Sequence, residues 1–545
     1  MKTRLAVLAA MAAVFVLLAS RAPAGQTARP AAPTLVVLLV VDQMRADYVD
    51  RFRADWTGGL KRLVDQGAWF QRAALPYMTT MTCAGHATIG TGAFPNRHGI
   101  IQNDWWNRGQ QRLMGCTEDL SVRDIGYLRP ATGNDGGGLL MIPTFADEMR
   151  LQRGSHVVVV SRKPDVAITL AGHGGDAVLW LSAGLDDWNT STAFASAPVP
   201  AVRAVIQANS IESYFRRVWD RLLPASRYPE PDNGLGETPL PGWTAMFPHA
   251  LRGASNTPDG LFRAQFEQSP FLDDYLAQVS GALVESMQLG KHNTTDVLAI
   301  GFSATDIIGH YFGPRSQEIH DTIDRLDRTI GTLLDRLDRV VGKDQYVVGL
   351  TADHGIQPIP EQLIQEGKSG GRLSAAAIID IVETRLAFLG RGRHVAGLSG
   401  TNMNLYFLPG VYDKVKASPA VMSSVIDAIQ RVEGVARVLR AEEAQNGSAS
   451  KDPAVRAAAL SYYPDRSGDL MIVLKPGWIM YAIPAMHGTA APEDQQVPLL
   501  LMGPGIKPGV YTQAATPADV VPTLAALSGV TLPRADGRVL REALR

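Results

Sequence analysis

The sequence has no excess of one charge sign, no internal repeat and no long apolar run after its N-terminus. Lys plus Arg total 52 against 53 for Asp plus Glu, a net charge of −1, which gives no indication of a nucleic-acid-binding domain or of acidic-membrane binding. The low-complexity sequence is confined to an Ala/Pro-rich segment, residues 22–33. Hydrophobic residues make up 46% of the chain, as in an ordinary globular interior. The 545 residues are enough for one large domain with a sizeable insertion.

The N-terminus has the pattern of a secretory signal peptide. Lys2 and Arg4 precede an apolar stretch from Leu5 to Ala19, and Ala22-Pro23-Ala24 has the form of a cleavage site. The apolar stretch is shorter than the ~20 residues that a bilayer-spanning helix needs, and no cysteine follows the cleavage site to carry a lipid. We predict a signal peptide over residues 1–24 and a mature protein that is periplasmic or secreted, without a membrane anchor.

Residues of metal-ligand type stand at or near the ends of short apolar runs. The runs cover residues 35–41, 297–302 and 346–351, and such runs are typical of buried parallel strands, whose carboxyl ends form the sites of open α/β sheets. The candidate ligands are Asp42, Asp306, His310, Asp353, His354 and His487. Three aspartates and three histidines suit two zinc-like ions that share a site. We predict an α/β fold with a three-layer core, a mostly parallel sheet and helices on both of its faces.

An alternative explains each of these aspartates singly as a turn residue or a helix cap. It does not explain the set, because the neighbours Asp353 and His354 and the i,i+4 pair Asp306 and His310 are ligand-type pairings. The set therefore favours a two-metal hydrolase.

A threonine-rich stretch over residues 77–92 makes the pattern more specific. It reads YMTTMTCAGHATIGTG, and PNRHGIIQN follows at residues 95–103. The chain resembles the alkaline phosphatase superfamily, and most of all its bacterial threonine-nucleophile phosphatases and the related nucleotide pyrophosphatase/phosphodiesterases. The resemblance extends from about residue 35 to about residue 505, with the motifs in the family's order.

The resemblance implies a role for each matching residue. Thr82, two residues after Thr80 and four before His86, would attack phosphorus, while Asn103 and Lys163 would hold phosphoryl oxygens. Metal coordination activates a threonine hydroxyl without a neighbouring base. A helix that begins near Thr82 would direct backbone N–H groups at the phosphate, although Thr80 and Thr82 could instead be capping residues.

The implied ligand sets form two half-sites for two Zn²⁺ per chain. One set is Asp42, Asp353, His354 and the Thr82 oxygen, and the other is Asp306, His310 and His487. Paired ions of this kind stabilise the attacking and the leaving oxygen of an in-line displacement. The resemblance also implies a phospho-Thr82 intermediate.

One position departs from the family pattern. The threonine phosphatases carry Lys-x-Arg where this chain has Lys163-Pro164-Asp165. The adjacent Arg162 does not replace the missing arginine, because neighbouring residues on extended backbone point to opposite sides. The alternative is that Lys163 and Arg162 are ordinary solvent-exposed charged residues. A lost arginine weakens hydrolysis of dianionic monoesters more than that of monoanionic diesters.

These residues lead to one main function and two alternatives. The main prediction is an exported zinc-dependent alkaline phosphatase that hydrolyses small-molecule phosphate monoesters. The first alternative is a nucleotide pyrophosphatase/phosphodiesterase with the same metal site. The second is a non-catalytic binding protein that retains the metals. The sequence leaves the physiological substrate and the oligomeric state open.

The remaining predictions concern the domains and the cysteines. We expect the catalytic core to cover residues 25–363 and 481–545, with an inserted cap over residues 364–480. The two cysteines, Cys83 and Cys116, are even in number in a chain bound for an oxidising compartment, which favours a disulfide over two separate thiols. The Cys-x-Pro-x-Arg signature of sulfatases is missing at Cys83, so a sulfatase is not expected.

Overall fold

The protein is built on one large sheet whose central strands are the apolar runs of the sequence. The structure is a computed structural model and describes residues 32–398 and 403–545. The predicted signal peptide, residues 1–24, lies outside these ranges. The strands of the described residues are β1 Leu35–Val41, β2 Ala68–Ala73, β3 Asp104–Asn107, β4 Arg112–Gly115, β5 Asp124–Gly126, β6 Val157–Ser161, β7 Ala177–Leu181, β8 Trp188–Ser191, β9 Val218–Trp219, β10 His249–Ala250, β11 Asp296–Phe302, β12 Tyr346–Thr351, β13 Gly371–Arg372, β14 Val395–Leu398, β15 Asn404–Phe407, β16 Val435–Arg440, β17 Leu470–Leu474, β18 Trp478–Ile479, β19 Leu499–Met502 and β20 Gly509–Ala515.

The large sheet has ten strands in the order β20-β2-β19-β12-β1-β11-β6-β7-β8-β5. Its central strands, from β12 to β7, are parallel, whereas β19 runs antiparallel to both β12 and β2, and β8 antiparallel to both β7 and β5. The sheet is thus mixed rather than parallel throughout. The short connection between β7 and β8 explains one reversal, because a turn this short joins antiparallel strands only.

Helices cover both faces of this sheet, as predicted for an α/β fold. Alternate residues of β1 point to opposite faces, with Val37 and Leu39 in one hydrophobic cluster and Val36 and Leu38 in another. The α-helices of the described residues are Asp47–Phe52, Gly59–Gln66, Thr82–Thr91, Pro95–His98, Phe145–Arg153, Pro164–Ala171, Pro200–Ala208, Gly260–Glu267, Phe271–Ser286, Ala304–Phe312, Gln317–Leu337, Pro360–Gln365, Ala375–Leu386, Val411–Ala417, Pro419–Gln430, Ala441–Gln445, Pro453–Ser461, Pro492–Gln495 and Val520–Ser528.

The register of the central strands brings their carboxyl ends to one level. Val41 of β1 pairs with Phe302 of β11, and Val40 pairs with Thr351 of β12. The first residues beyond these strands therefore meet at one edge of the sheet. This edge carries the aspartates that the sequence places after each apolar run.

A second sheet has its own core and lies between residues 364 and 480. Its order is β14-β15-β17-β16, and its hydrophobic cluster includes Ile378, Val425 and Ile472. At the two ends of this segment, β13 pairs in parallel with β18. The chain therefore leaves the core and returns to it at neighbouring points, although the predicted cap boundaries remain a prediction. Within the described ranges, no helix is both long and apolar enough to cross a membrane.

Candidate active site

Thr82 begins a buried helix at the carboxyl edge of the large sheet. The helix covers Thr82–Thr91, all of its residues are buried, and its N-cap is the extended residue Met81. The capping alternative is therefore wrong for Thr82, and the Thr80 hydroxyl donates to the Thr489 carbonyl instead (2.8 Å). Thr82 Oγ1 lies 3.3 Å from His354 Nε2. The hydroxyl thus faces the candidate ligands rather than its own helix.

A glycine allows this helix to approach the strand-end residues closely. A Cβ at Gly85 would lie 2.3 Å from the Asp353 carbonyl oxygen and 2.6 Å from the Asp353 Cβ. Real side chains do not tolerate such contacts, so any larger residue would push the helix and Asp353 apart. Gly85 therefore helps to set the distance between Thr82 and the candidate metal ligands.

Three of the predicted ligands form a first group, the Asp353 cluster (Asp42, Asp353 and His354). Their ligand atoms lie within 4.8 Å of one another, and all three side chains are buried. His354 Nε2 is 3.5 Å from Asp42 Oδ1 and 3.1 Å from Asp353 Oδ2. His354 Nδ1 donates to the Gly355 carbonyl (2.9 Å), which leaves Nε2 directed at the two carboxylates.

The other three form a second group, the Asp306 cluster (Asp306, His310 and His487). His310 Nε2 is 3.1 Å and His487 Nε2 is 3.8 Å from Asp306 Oδ1. Both rings donate through Nδ1 to backbone carbonyls, His310 to Ala485 and His487 to Thr80, each at 2.9 Å. The His487 ring also stacks on His354 with centroids 3.6 Å apart. The stacked rings join the two clusters into one site.

The buried carboxylates of this site need positive charge. Burial and repulsion from Asp306 and Asp353 raise the pKa of Asp42 well above its usual value. Burial also acts to raise the pKa of Asp306, but Lys163, His310 and His487 outweigh it and hold that pKa well below its usual range. Lys163 Nζ lies 2.6 Å from both Asp42 Oδ2 and Asp306 Oδ2, so its ammonium balances part of this charge.

Burial and the charges around the site together shift the pKa values of His354 and His487 in opposite directions. Burial acts to lower the pKa of His354, but attraction to Asp353 and Asp42 raises it to about 9. Burial and repulsion from His354 and His310 hold the pKa of His487 well below its usual value. One imidazole therefore binds a proton readily, while its stacked neighbour stays neutral.

The residues present fit divalent metal ions. The donor set combines imidazole nitrogens with carboxylate oxygens, as zinc sites do. Asp42 Oδ1 and Asp353 Oδ2 are buried and have no hydrogen-bond partner in the described part of the chain. Each ligand histidine donates its Nδ1 proton to a backbone carbonyl, the arrangement by which proteins orient metal-binding imidazoles.

Asn103 and the cysteines lie beside Thr82. Asn103 Oδ1 accepts a hydrogen bond from the Cys83 backbone N–H (2.9 Å), so Nδ2 is the group of this amide that can donate to a phosphoryl oxygen. The Asn103 carbonyl accepts from the Cys116 N–H (2.9 Å), and Cys83 and Cys116 are joined in a disulfide. The disulfide thus fastens the start of the Thr82 helix to the Asn103 segment.

This chain has Asp165 where the family carries its arginine, and the Asp165 carboxylate lies beside the start of the Thr82 helix. Asp165 Oδ2 lies 3.3 Å from Cys83 Sγ, next in the chain to Thr82. Arg162 instead pairs with Glu267 Oε1 (2.5 Å) and donates to the Leu181 carbonyl (3.4 Å). Arg162 and Lys163 therefore diverge, as expected for neighbours on extended backbone, and Arg162 does not replace the arginine.

Sequence reasoning missed one buried residue and understated another. Gln43 adopts the left-handed conformation (φ 68°), donates from its backbone N–H to Asp353 Oδ1 (3.1 Å) and from Nε2 to Asp306 Oδ1 (2.6 Å). No local signal marks it, because a glutamine after a strand has no characteristic pattern. His86 Nδ1 donates to the Thr82 carbonyl (2.9 Å) and lies 3.1 Å from Asp353 Oδ2, so this motif histidine packs between Thr82 and a candidate ligand.

Comparisons with known proteins agree with this geometry. The family model described as type I phosphodiesterase / nucleotide pyrophosphatase matches residues 36–491. The chain is 31% identical to alkaline phosphatase PhoV of Synechococcus elongatus, with 94% of each chain covered. It is 32% identical to alkaline phosphatase PhoK of a Sphingomonas species, covering 93% of this chain and 91% of the relative. The crystal structure of alkaline phosphatase PafA aligns at a TM-score of 0.84 and 28% identity, covering 96% of this chain and 100% of that one.

Fold and site together define a metal-dependent phosphoric ester hydrolase. The chain belongs to the type I phosphodiesterase / nucleotide pyrophosphatase family, within the threonine-nucleophile group of the alkaline phosphatase superfamily. Membership of this enzyme family sets aside the alternative of a non-catalytic binding protein.

Proposed function

We propose that the protein is an exported, zinc-dependent phosphomonoesterase that acts through a phosphothreonine intermediate on Thr82. The observation that carries this proposal is the Thr82 hydroxyl, at the start of a buried helix and 3.3 Å from His354 Nε2. Relatives at 31% and 32% identity are named alkaline phosphatases, which supports monoester substrates. The signal-like sequence of residues 1–24 supports export to the periplasm or the medium.

Two zinc ions per chain are the proposed cofactors. The Asp353 cluster with Thr82 Oγ1 would hold one, and the Asp306 cluster would hold the other. Bound divalent ions supply a lowered hydroxyl pKa and stabilise negative charge on the attacking and leaving oxygens. The unpartnered carboxylate oxygens of Asp42 and Asp353 support this assignment.

The chain's own groups then account for binding and transfer. Thr82 Oγ1 gives up its proton to solvent and forms a bond to phosphorus while the bond to the leaving oxygen breaks, and the leaving oxygen takes up a proton from solvent. The first turn of the Thr82 helix, the Asn103 amide and the Lys163 ammonium hold the phosphoryl oxygens. Water then cleaves the bond between phosphorus and Thr82 Oγ1, which releases phosphate and restores the hydroxyl.

A substrate panel with metal analysis of the same sample tests this proposal. We expect a higher kcat/KM for an aryl phosphate monoester than for the matching aryl diester, together with about two zinc ions per chain. A higher kcat/KM for the diester would replace the proposal by the phosphodiesterase alternative. Turnover without any bound metal would contradict the cofactor assignment.

One observation favours the phosphodiesterase alternative. Asp165 is placed next to Cys83, where it repels a dianionic phosphoryl group more strongly than a monoanionic one. Of the Lys-x-Arg pair in the family motif, this chain then keeps the lysine, Lys163, and lacks the arginine. The alternative therefore uses the same metals and the same nucleophile and differs only in substrate charge.

We also propose that residues 364–480 form a cap that contacts the phosphate-binding region. Asn404 Nδ2 donates to Gln102 Oε1 (3.0 Å), next to Asn103. Ser461 Oγ accepts from the Met78 N–H (2.8 Å), four residues before Thr82. Both contacts join this segment to the loops that precede and follow the Thr82 helix.

A further inference from the structure

A third group of ligand-type residues lies outside the site described above. Asp55, His320 and Asp324, here named the His320 cluster, have ligand atoms within 4.8 Å of one another. Asp55 follows the helix Asp47–Phe52, whereas His320 and Asp324 lie one turn apart on the helix Gln317–Leu337. The cluster therefore connects two segments that are distant in the sequence.

The spacing of the cluster is that of ligands around one ion. His320 Nε2 lies 3.4 Å from Asp55 Oδ2 and 3.6 Å from Asp324 Oδ2. Ligands at bond lengths of about 2.0–2.2 Å around a tetrahedral ion are about 3.3–3.6 Å apart. Charge-assisted hydrogen bonds are shorter, about 2.7–2.9 Å. In the Asp353 cluster, His354 Nε2 and Asp42 Oδ1 are separated by a similar 3.5 Å.

A carboxylate fixes the protonation of the imidazole. His320 Nδ1 lies 3.0 Å from Glu230 Oε2, and because a carboxylate only accepts, Nδ1 carries the proton. The free electron pair of the neutral ring is then on Nε2, which faces the two aspartates. A carboxylate–histidine pair of this kind orients metal-binding histidines in zinc proteins.

The buried polar atoms of the cluster are not satisfied by the described part of the chain. Both Asp324 carboxylate oxygens and His320 Nε2 are buried without a hydrogen-bond partner. Asp324 is 3% exposed and His320 is 2% exposed. A buried carboxylate without a partner is costly. Asp55 is oriented by Arg227, which binds its other oxygen, Oδ1.

Another His/Asp group lacks this signature. Asp296 Oδ2 accepts from the Gly290 N–H and from His292 Nδ1, each at 2.7 Å, and its Oδ1 accepts from the His156 N–H (3.3 Å). The chain therefore satisfies Asp296 by itself. Proximity of histidine and aspartate alone does not mark a site.

We propose that Asp55, His320 and Asp324 bind a third, structural divalent cation of the zinc type. An imidazole ligand favours zinc and related transition metals over calcium or magnesium, which prefer oxygen ligands. The Phe52 ring stacks on the imidazole at 4.2 Å and the Tyr228 ring meets it at 4.8 Å, so aromatic walls enclose it. The ion would fasten the Asp55 segment to the long helix and thereby stabilise the fold.

Zinc analysis of matched variants tests this proposal. His320→Gln should lose about one equivalent of zinc per chain relative to the parent and should have a lower Tm, because metal binding is linked to folding. Asp321→Asn is the control: Asp321 is buried on the same helix, but its oxygens already accept from Trp219, Leu222, Tyr228 and Arg325. It should lose stability and keep all of its zinc.

The outcomes are distinct from those for the catalytic ions. The Asp353→Asn variant should lack catalytic zinc. A further loss of zinc when His320→Gln is added to this variant supports the third site, whatever the zinc content of the two catalytic sites. Equal zinc in the parent and in His320→Gln would overturn the proposal. If His320→Gln does not fold, anomalous diffraction at the zinc edge from crystals of the parent tests the site instead. A peak beside His320 Nε2 supports the third site, and the absence of a peak overturns it.

Discussion

The two clusters proposed to act in catalysis and the His320 cluster use the same residue types but lie in different parts of the fold. The Asp353 cluster collects its residues from the ends of β1 and β12 and faces the hydroxyl of Thr82 (3.3 Å from His354 Nε2). The His320 cluster joins the long helix Gln317–Leu337 to the Asp55 segment, and an aromatic ring covers its imidazole. Imidazole and carboxylate determine which ion binds, while position relative to a nucleophile determines whether the ion takes part in a reaction.

The largest effect should come from the nucleophile. Thr82→Ala should lower kcat/KM by about three orders of magnitude or more, because nucleophile and metal act as a unit. Fold and zinc content should be unchanged, and Thr82→Ser should retain much of the activity because it keeps the hydroxyl. Kinetics with metal analysis and acid trapping of the phosphoenzyme check this. Phosphate trapped on another residue would show that Thr82 is not the nucleophile.

The next largest effect separates the two kinds of cluster. Asp353→Asn should lower zinc content and activity together, by about 100-fold or more in kcat/KM, because it removes a ligand of the ion that activates Thr82. His320→Gln should lower zinc and Tm but leave kcat/KM nearly unchanged. A similar loss of kcat/KM in both variants would remove the distinction between catalytic and structural clusters. Full activity after exhaustive chelation would contradict the assignment of metal to the two clusters beside Thr82.

The disulfide gives the catalytic region a covalent link. Cys83 and Cys116 are 33 residues apart in the sequence, and closing a loop of this length contributes about 3–4 kcal/mol in the chain-entropy model. The double variant Cys83→Ser/Cys116→Ser should lower the free energy of unfolding by about that amount and raise KM, because Asn103 loses its support. Chemical denaturation and kinetics measure the two effects. An unchanged KM would show that hydrogen bonds alone position Asn103.

The smallest expected effect concerns substrate charge. Asp165→Arg should raise the monoester-to-diester ratio of kcat/KM, and Lys163→Ala should lower it, because a charge-assisted contact contributes roughly 1.5–3 kcal/mol, or about tenfold to a hundredfold. Arg162→Gln is the matched control, since Arg162 pairs with Glu267, and its ratio should not change. A ratio that Asp165→Arg leaves unaltered would show that Asp165 does not act on the phosphoryl group.

Much of the site could be predicted because its ligands follow recognisable strands. Asp42, Asp306 and Asp353 come after apolar runs, and parallel strands direct their carboxyl ends to one edge. Gln43 could not be predicted, because its role depends on a left-handed backbone and on two aspartates far away in the sequence. The reversed direction of β19 within the sheet was also missed, since β19 has the same apolar pattern as a parallel strand.

The sequence by itself determined the class of fold and the family, and it predicted the residues that we propose as metal ligands. These depend on local patterns and residue types that a linear chain displays. Only the tertiary structure decided that Arg162 pairs with Glu267, that Asp165 lies against Cys83 and that Asp55 meets His320. The residues of these three pairs are 105, 82 and 265 positions apart in the sequence, so the contacts follow from the packing of helices on the sheet rather than from sequence spacing. The direction of a side chain, and hence the charge that a substrate meets, exists only in the folded protein.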